Sequence, residues 1–384
     1  MQFEFATVPR ILFSPGRVNS IGTLAGEFGN RAFIVSGVPK SLSDRLIELL
    51  EAQDITCSIE KINQEPTIEL IHELVELARR YSPDLIIGFG GGSALDSSKA
   101  TAALLSNPGE LTDYLEVIGL NKPLSYPSLP LIAIPTTSGT GSEVTKNAVL
   151  SSPHHHAKVS LRSPYLFPKI ALVDPELTFS VHPMITASTG LDALTQLIES
   201  YTCNEPNPLT DALCLEGIQR VARSLFQAFD DGSSLRARED MSIASLFSGL
   251  ALANARLGAV HGLAGPVGGE IPAAHGAICA CLLPHVMEAN LTALLDMLPD
   301  HPTLDRYHTI GKILSGDPTA TADVGLHWIR DFCRYVNIPQ LSVSGLSEAQ
   351  FDKILENARK SSSMKGNPII LSDLDLRSIL QKAL

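Results

Sequence analysis

The chain has 384 residues, 44% hydrophobic and 18% charged, with 41 acidic against 29 basic side chains and a formal net charge of −12. At ~100–200 residues per domain there is room for two domains or one large one, and the apolar content excludes a disordered chain. The acidic balance argues against nucleic-acid and anionic-membrane partners, although backbone N–H groups can still hold a small phosphate-bearing cofactor.

The N-terminal Met-Gln-Phe-Glu-Phe lacks the basic and apolar regions of a signal peptide. Arg31–Ser36 and Ile55–Glu60 are compact runs expected to be strands. Between Thr67 and Ala78, apolar residues fall at Ile68, Ile71, Leu74, Val75 and Ala78, which is helical spacing. Asp84–Gly88 reads as a strand, followed by a glycine cluster and a helix from Ser93; Leu129–Ile134 and Ile170–Val173 complete the strands. Such alternation predicts a largely parallel α/β sheet. The texture changes near Thr178–Pro183. Beyond it, Ala187–Tyr201, Asp211–Phe229, Glu239–Ala255 and Ser347–Lys360 fit helices, and no strand is expected. The predicted organisation is an α/β nucleotide-binding domain over 1–180 and an α-helical metal and substrate domain over 181–384.

Six cysteines (Cys57, Cys203, Cys214, Cys279, Cys281 and Cys333) lie mostly in apolar runs. They read as buried reduced thiols of a cytoplasmic protein, and Cys279-Ala-Cys281 lacks the usual zinc spacing. No apolar run approaches the ~18–20 residues of a membrane span.

Three stretches could carry chemistry. Gly88-Phe-Gly90-Gly91-Gly92-Ser93 follows a strand and opens a helix, where glycines let the backbone approach a pyrophosphate and the helix N-terminus offers unpaired N–H groups. Ser93 stands where a strict dinucleotide fingerprint has its third glycine. Pro135–Glu143 is rich in small hydroxyls directly after a strand, which suits ligand contact or a helix start capped by Thr140 or Ser142. Asp192 and Gln196 share a helix face, and His261 and His275 flank a Gly/Pro-rich stretch expected to bend sharply. A carboxylate and two imidazoles converging would suit a divalent transition metal; otherwise the histidines are hydrogen-bonded helix residues. His154-His155-His156 reads as an exposed loop.

The blocks Gly90-Gly91-Gly92-Ser93-Ala-Leu-Asp96-Ser-Ser-Lys99, Pro135–Glu143, Gly190-Leu-Asp192-Ala-Leu, His261 and His275-Gly276 resemble, in order and spacing, the iron-containing (group III) alcohol dehydrogenase family. So do Lys158 before Pro168-Lys169, Asp174-Pro175-Glu176-Leu177 and Asn367-Pro368. The resemblance covers nearly the whole chain. It implies a Rossmann-like parallel-sheet domain and a helical domain of the dehydroquinate synthase-like type, with the active site in the cleft between them. It also implies hydride transfer between NAD(P) and a small alcohol or aldehyde, and a homodimer by default. Gly90, Gly91, Gly92 and Ser93 would hold the pyrophosphate, with Asp96, Thr136, Thr137, Thr140 and Lys158 as cofactor neighbours.

Two departures stand out. The family's metal site has one Asp and three His; Asp192, His261 and His275 match, but Gln196 stands at the second ligand position. A further family histidine, four residues after His261, is Gly265 here. A neutral amide oxygen should lower the affinity for Fe²⁺ or Zn²⁺. The resemblance therefore leaves open an altered metal site, a metal-independent reductase of the maleylacetate reductase type, a non-redox dehydroquinate-synthase-like enzyme, or a nucleotide-binding protein without catalysis. NAD-preferring members place an Asp after the strand matching Arg31–Ser36; here Gly37 stands there, with Ser36, Lys40 or Ser41 available to a 2′-phosphate, so NADP(H) is expected to be accepted and preferred.

Overall fold

The computed structural model describes residues 2–155 and 157–384. The chain divides into two compact units. One comprises Ala6–Thr137 and Gly141–Val181; the other comprises Ser138–Thr140, His182–Leu384 and the N-terminal residues as far as Phe5.

The first unit runs β1 (Arg10–Phe13), α1 (Ile21–Gly26), β2 (Arg31–Ser36), α2 (Lys40–Glu51), β3 (Thr56–Lys61), α3 (Ile68–Tyr81), β4 (Leu85–Gly90), α4 (Gly92–Ser106), α5 (Leu111–Tyr114), β5 (Leu131–Pro135), β6 (Asn147–Ser152), β7 (Ala157–Arg162) and β8 (Ile170–Val173). Six strands form one parallel sheet in the order β1-β8-β5-β4-β2-β3. Both faces are covered, so its central strands are apolar on both sides. Phe33, Val35, Ile86 and Leu131 point into a core with α3 and α4, whereas Ala32, Ile34, Ile87 and Ile134 point into a second core with α1 and α2. From β2 the chain goes to β3 on one side and to β4 on the other. The switch point of the sheet therefore lies at the carboxyl ends of β2 and β4, where open α/β sheets bind ligands.

The expected strands are present within two residues at their ends. Helix α3 starts as the spacing requires, with Thr67 Oγ1 accepting the Leu70 N–H. Edge strand β1 and the antiparallel hairpin β6–β7 are additional to the expected strands and carry weak sequence signals: β1 has four residues, and the hairpin buries only alternate positions, such as Ala148, Leu150, Val159 and Leu161. His154 and His155 form the exposed turn between these two strands, and His156 lies outside the described residues.

The second unit carries α6 (Pro183–Thr202), α7 (Pro208–Asp230), α8 (Leu235–Asn254), α9 (Ala259–Glu270), α10 (His275–Met297), α11 (Thr303–Ser315), α12 (Ala322–Tyr335), α13 (Phe351–Lys360) and α14 (Asp373–Lys382). Among the described residues no strand follows Val173. Helix α6 is central and is buried almost throughout from Gly190 to Thr202. Two expectations are corrected. The Gly/Pro-rich stretch after His261 is mostly helix α9, running through Pro266, and the chain bends only over residues 271–274. By length and composition α10 could also cross a membrane, with 23 residues and a hydropathy of 1.5. His285, Glu288 and Asn290 break its apolar run in the sequence. It is a core helix, and 72% of its most apolar window is buried.

Candidate active site and metal centre

The glycine cluster sits at the switch point. Gly90, the last residue of β4, has φ +155°. A Cβ on it would lie 2.8 Å from Ala94 Cβ and 3.0 Å from the Gly37 nitrogen, so only glycine fits. Gly37 in turn donates its N–H to Phe89 O. Gly91 is the N-cap of α4 and gives no side-chain cap, and the first turn carries no acidic residue. The N-terminal N–H groups of a 15-residue helix are thus left for an anion, with Gly91, Gly92 and Ser93 partly exposed around them. Thr136 donates its N–H to Gly90 O, and Thr137 Oγ1 lies 3.2 Å from where a Gly91 Cβ would be.

Two expected cofactor neighbours are already engaged. Asp96 Oδ1 accepts from Ser142 Oγ at 2.6 Å and Oδ2 accepts from the Val149 N–H at 3.0 Å, which ties α4 to the segment before and within β6. Lys158 Nζ pairs with Glu65 at 2.8 Å. The short helical turn Ser142–Val144 is entered through Gly141 in a left-handed conformation, so neither Thr140 nor Ser142 is its cap. Beside it, Lys99 is fully buried and donates to Ser142 Oγ, Thr145 Oγ1 and Asn147 O at 2.8–2.9 Å. Burial lowers Lys99 to about 8 and raises the neighbouring Glu143 to about 7.

In the helical unit, three helices bring together Asp192 from α6, His261 from α9, and His275 with Cys279 from α10; one ligand atom of each lies within 4.8 Å of all the others. Asp192 Oδ1 is buried without a hydrogen-bond partner and stands 3.5 Å from His261 Nε2 and 3.9 Å from His275 Nε2. Cys279 Sγ lies 3.5 Å from His275 Nε2 and 3.9 Å from His261 Nε2. Gly276 makes the approach of α10 to α6 possible, because a Cβ there would lie 2.9 Å from Ser188 O. Glu199, one helical turn past Gln196, backs His261: its Oε2 is 2.5 Å from His261 Nδ1, and its Oε1 accepts the Val260 N–H at 2.7 Å. That contact holds the proton on Nδ1 and aims Nε2 at the cluster, the arrangement usual for a metal-binding histidine. Asn367 Oδ1 accepts the Ala259 N–H, so two orphan donors at the start of α9 are satisfied from outside the helix.

The electrostatics favour positive charge at this point. Burial opposes charging His261, yet Cys279, Glu199 and Asp192 around it hold its pKa well above the ordinary value. Burial pushes the Cys279 thiol up to about 12. An orphaned buried carboxylate oxygen, two inward imidazoles and a thiol fit a divalent cation.

Two family profiles match the chain. The profile described as iron-containing alcohol dehydrogenase covers residues 9–175, and the C-terminal profile of the same family covers 186–384. The chain belongs to the iron-containing alcohol dehydrogenase family. It is 35% identical over 350 residues to alcohol dehydrogenase 4 of Saccharomyces cerevisiae, covering 89% of this chain and 87% of that protein. Its fold is similar to that of the alcohol dehydrogenase from Oenococcus oeni (TM-score 0.90, 30% identity, each chain fully covered). It is also similar to sulfoacetaldehyde reductase from Bifidobacterium kashiwanohense in complex with NAD⁺ (TM-score 0.86, 28% identity, 99% and 98% covered). As a member of this family it is an NAD(P)-dependent oxidoreductase, and the family uses iron or another divalent metal.

Against that family pattern, the two departures acquire a geometry. Gln196 Nε2 donates to Asp192 Oδ2 at 3.3 Å, and its Oε1 accepts from Ser248 Oγ at 2.9 Å. The amide thus presents a nitrogen to Asp192, and its oxygen, the atom able to bind a metal, is directed at Ser248. A Cβ at Gly265 would meet nothing within 4 Å, so the place of the family's further histidine is open space. The sequence reading omits Glu199 and takes Cys279 only as a buried thiol. Glu199 continues the α6 face at Asp192, Gln196 and Glu199, and Cys279 follows His275 by one turn on α10; both signals are helical spacing.

Proposed function

We propose that Asp192, His261 and His275 hold a divalent cation, Fe²⁺ or Zn²⁺, and that the enzyme exchanges hydride between NAD(P) and a small alcohol or aldehyde. The observation that carries this is the buried Asp192 Oδ1, which accepts no hydrogen bond and faces two imidazole nitrogens. A bound divalent ion supplies Lewis acidity, polarising a carbonyl or acidifying a hydroxyl. The chain's own residues prepare the place. Asp192 supplies negative charge, Gln196 fixes its second oxygen, and Glu199 orients His261. In the other unit, the backbone of Gly90, Gly91, Gly92 and Ser93 is the support for a dinucleotide pyrophosphate, with Thr136 and Thr137 beside it.

Gly37 at the end of β2 supports acceptance of NADP(H), since no carboxylate there opposes a 2′-phosphate. Ser36 is not available for it: it is fully buried and bonded to Ser43 Oγ at 2.9 Å. What remains is the start of α2, where Pro39 supplies no side-chain cap, with exposed Ser41 and with Lys40 paired to Asp44 at the surface. A homodimer and a cytoplasmic setting belong to the same reading, the latter supported by six cysteines free of disulfides.

The test is a panel of aldehydes and ketones assayed with NADPH and NADH, before and after chelation and with Fe²⁺ or Zn²⁺ restored. Activity lost with chelator and regained with metal is expected, with kcat/KM higher for NADPH. Full activity in metal-free protein would overturn the metal assignment, and a far higher kcat/KM with NADH would overturn the cofactor preference.

A further inference from the structure

The metal-dependent reading leaves a fourth ligand to be found, because Gln196 directs its amide oxygen at Ser248. Cys279 stands in the same cluster, fully buried, one turn beyond His275 on α10. Resting on that reading, we infer that Cys279 is a metal ligand of this enzyme, giving an Asp-His-His-Cys donor set with Gln196 as a positioning residue behind Asp192.

Three features of the cluster support this. The first is spacing. Around a tetrahedral ion with metal–nitrogen and metal–oxygen bonds of ~2.0 Å and metal–sulfur bonds of ~2.3 Å, adjacent nitrogen and sulfur ligands stand ~3.5 Å apart, and nitrogen and oxygen ~3.3 Å. The Cys279 Sγ to imidazole separations are 3.5 and 3.9 Å, and those from Asp192 Oδ1 are 3.5 and 3.9 Å, within about 0.6 Å of those values, and all four ligand atoms lie within 4.8 Å of one another. The second is the unpartnered Asp192 Oδ1, 1% exposed, which faces the same point. The third is that the sulfur's neighbours on this side are the two imidazole nitrogens. By contrast Cys281, two residues on, donates to Ala383 O on another face of α10. A thiolate is soft, so this set suits Zn²⁺ better than one completed by an amide oxygen. On binding, the Cys279 thiol releases its proton to solvent and the sulfur lone pair forms the bond to the ion.

The experiment uses the full chain, stripped of metal and titrated with Co²⁺, whose electronic spectrum reports its ligands. The expected result is one equivalent bound, with intense tetrahedral d–d bands in the visible and a thiolate-to-cobalt charge-transfer band in the near ultraviolet. Cys279→Ser, nearly isosteric, should lose the charge-transfer band while still showing d–d bands, and Gln196→Ala should keep it. The d–d bands without the charge-transfer band in the unaltered protein, or the band persisting in Cys279→Ser, would overturn thiolate ligation and leave the metal reading standing. No Co²⁺ bound at all would overturn both. X-ray absorption at the zinc edge of the unaltered Zn²⁺ protein, expected to show one sulfur neighbour, makes the test independent of how the variants fold.

Discussion

Glu199 touches no proposed ligand atom directly, yet it decides which way His261 faces. Its two oxygens are committed, one to His261 Nδ1 and one to the Val260 N–H. Glu199→Gln replaces a charge-assisted bond with a neutral one and weakens the hold on the tautomer. Metal affinity, read by competition with a chromophoric chelator, should fall about 10–100-fold. An unchanged affinity would remove Glu199 from the site. Glu143 gives a second prediction at this scale. It is buried beside Lys99, and burial raises its carboxyl from 4.5 to about 7. Between those values the unfolded chain has released the proton and the folded chain keeps it, so Glu143 makes stability fall as pH rises through that window. At ~1.36 kcal/mol per pKa unit the full effect is about 3 kcal/mol. Glu143→Gln should flatten the dependence, as read from urea unfolding at pH ~5 and ~7.5; an unaltered slope would show that Glu143 is ionised throughout.

At the scale of elements, the turn from β4 into α4 depends on glycine for a steric reason. Gly90 has positive φ and no room for a methyl group against Ala94 and Gly37. Gly90→Ala should lower stability by about 1–3 kcal/mol and displace the N–H groups that face an anion. NADPH affinity, followed by the fluorescence of the bound nicotinamide, should drop with it. Loss of stability with unchanged NADPH affinity would mean that the turn is structural only. The start of α2 supports a further prediction. Gly37→Asp introduces a carboxylate at the end of β2, where a Cβ would lie 3.3 Å from Ala94 Cβ. It should shift the ratio of kcat/KM for NADPH over NADH toward NADH by about tenfold, on the order of 1.4 kcal/mol, because the added carboxylate repels a 2′-phosphate.

At the scale of the whole molecule, the ligand set joins three helices of one core, α6, α9 and α10. An ion held there binds the folded chain and not the unfolded one. Zn²⁺ at a hundred times its Kd should therefore stabilise the protein by about 2.7 kcal/mol, seen as a higher Tm than in chelator. No shift in Tm would mean that the cluster does not bind the ion. Length, composition and the sign of the net charge say nothing of this centre, because four side chains scarcely alter any of them.

What the sequence determined by itself is whatever near neighbours decide. The apolar runs at β2, β4, β5 and β8, the helical spacing of α3 and α6, and the glycines before α4 are set by local backbone preference and periodicity over a few residues. They suffice for a parallel sheet unit, a helical unit, a phosphate-binding turn, and the pairing of Asp192 with His261 and His275 through the resemblance. Only the tertiary structure decided what depends on distant segments meeting. Asp96 faced Ser142 and Val149, Ser36 faced Ser43, and Gln196 turned its oxygen to Ser248. Cys279 entered the cluster because Gly276 lets α10 lie against the α6 backbone at Ser188. Side-chain spacing along one helix shows which residues share a face; which face meets which is fixed by packing, at distances where one methyl group is enough to forbid the contact.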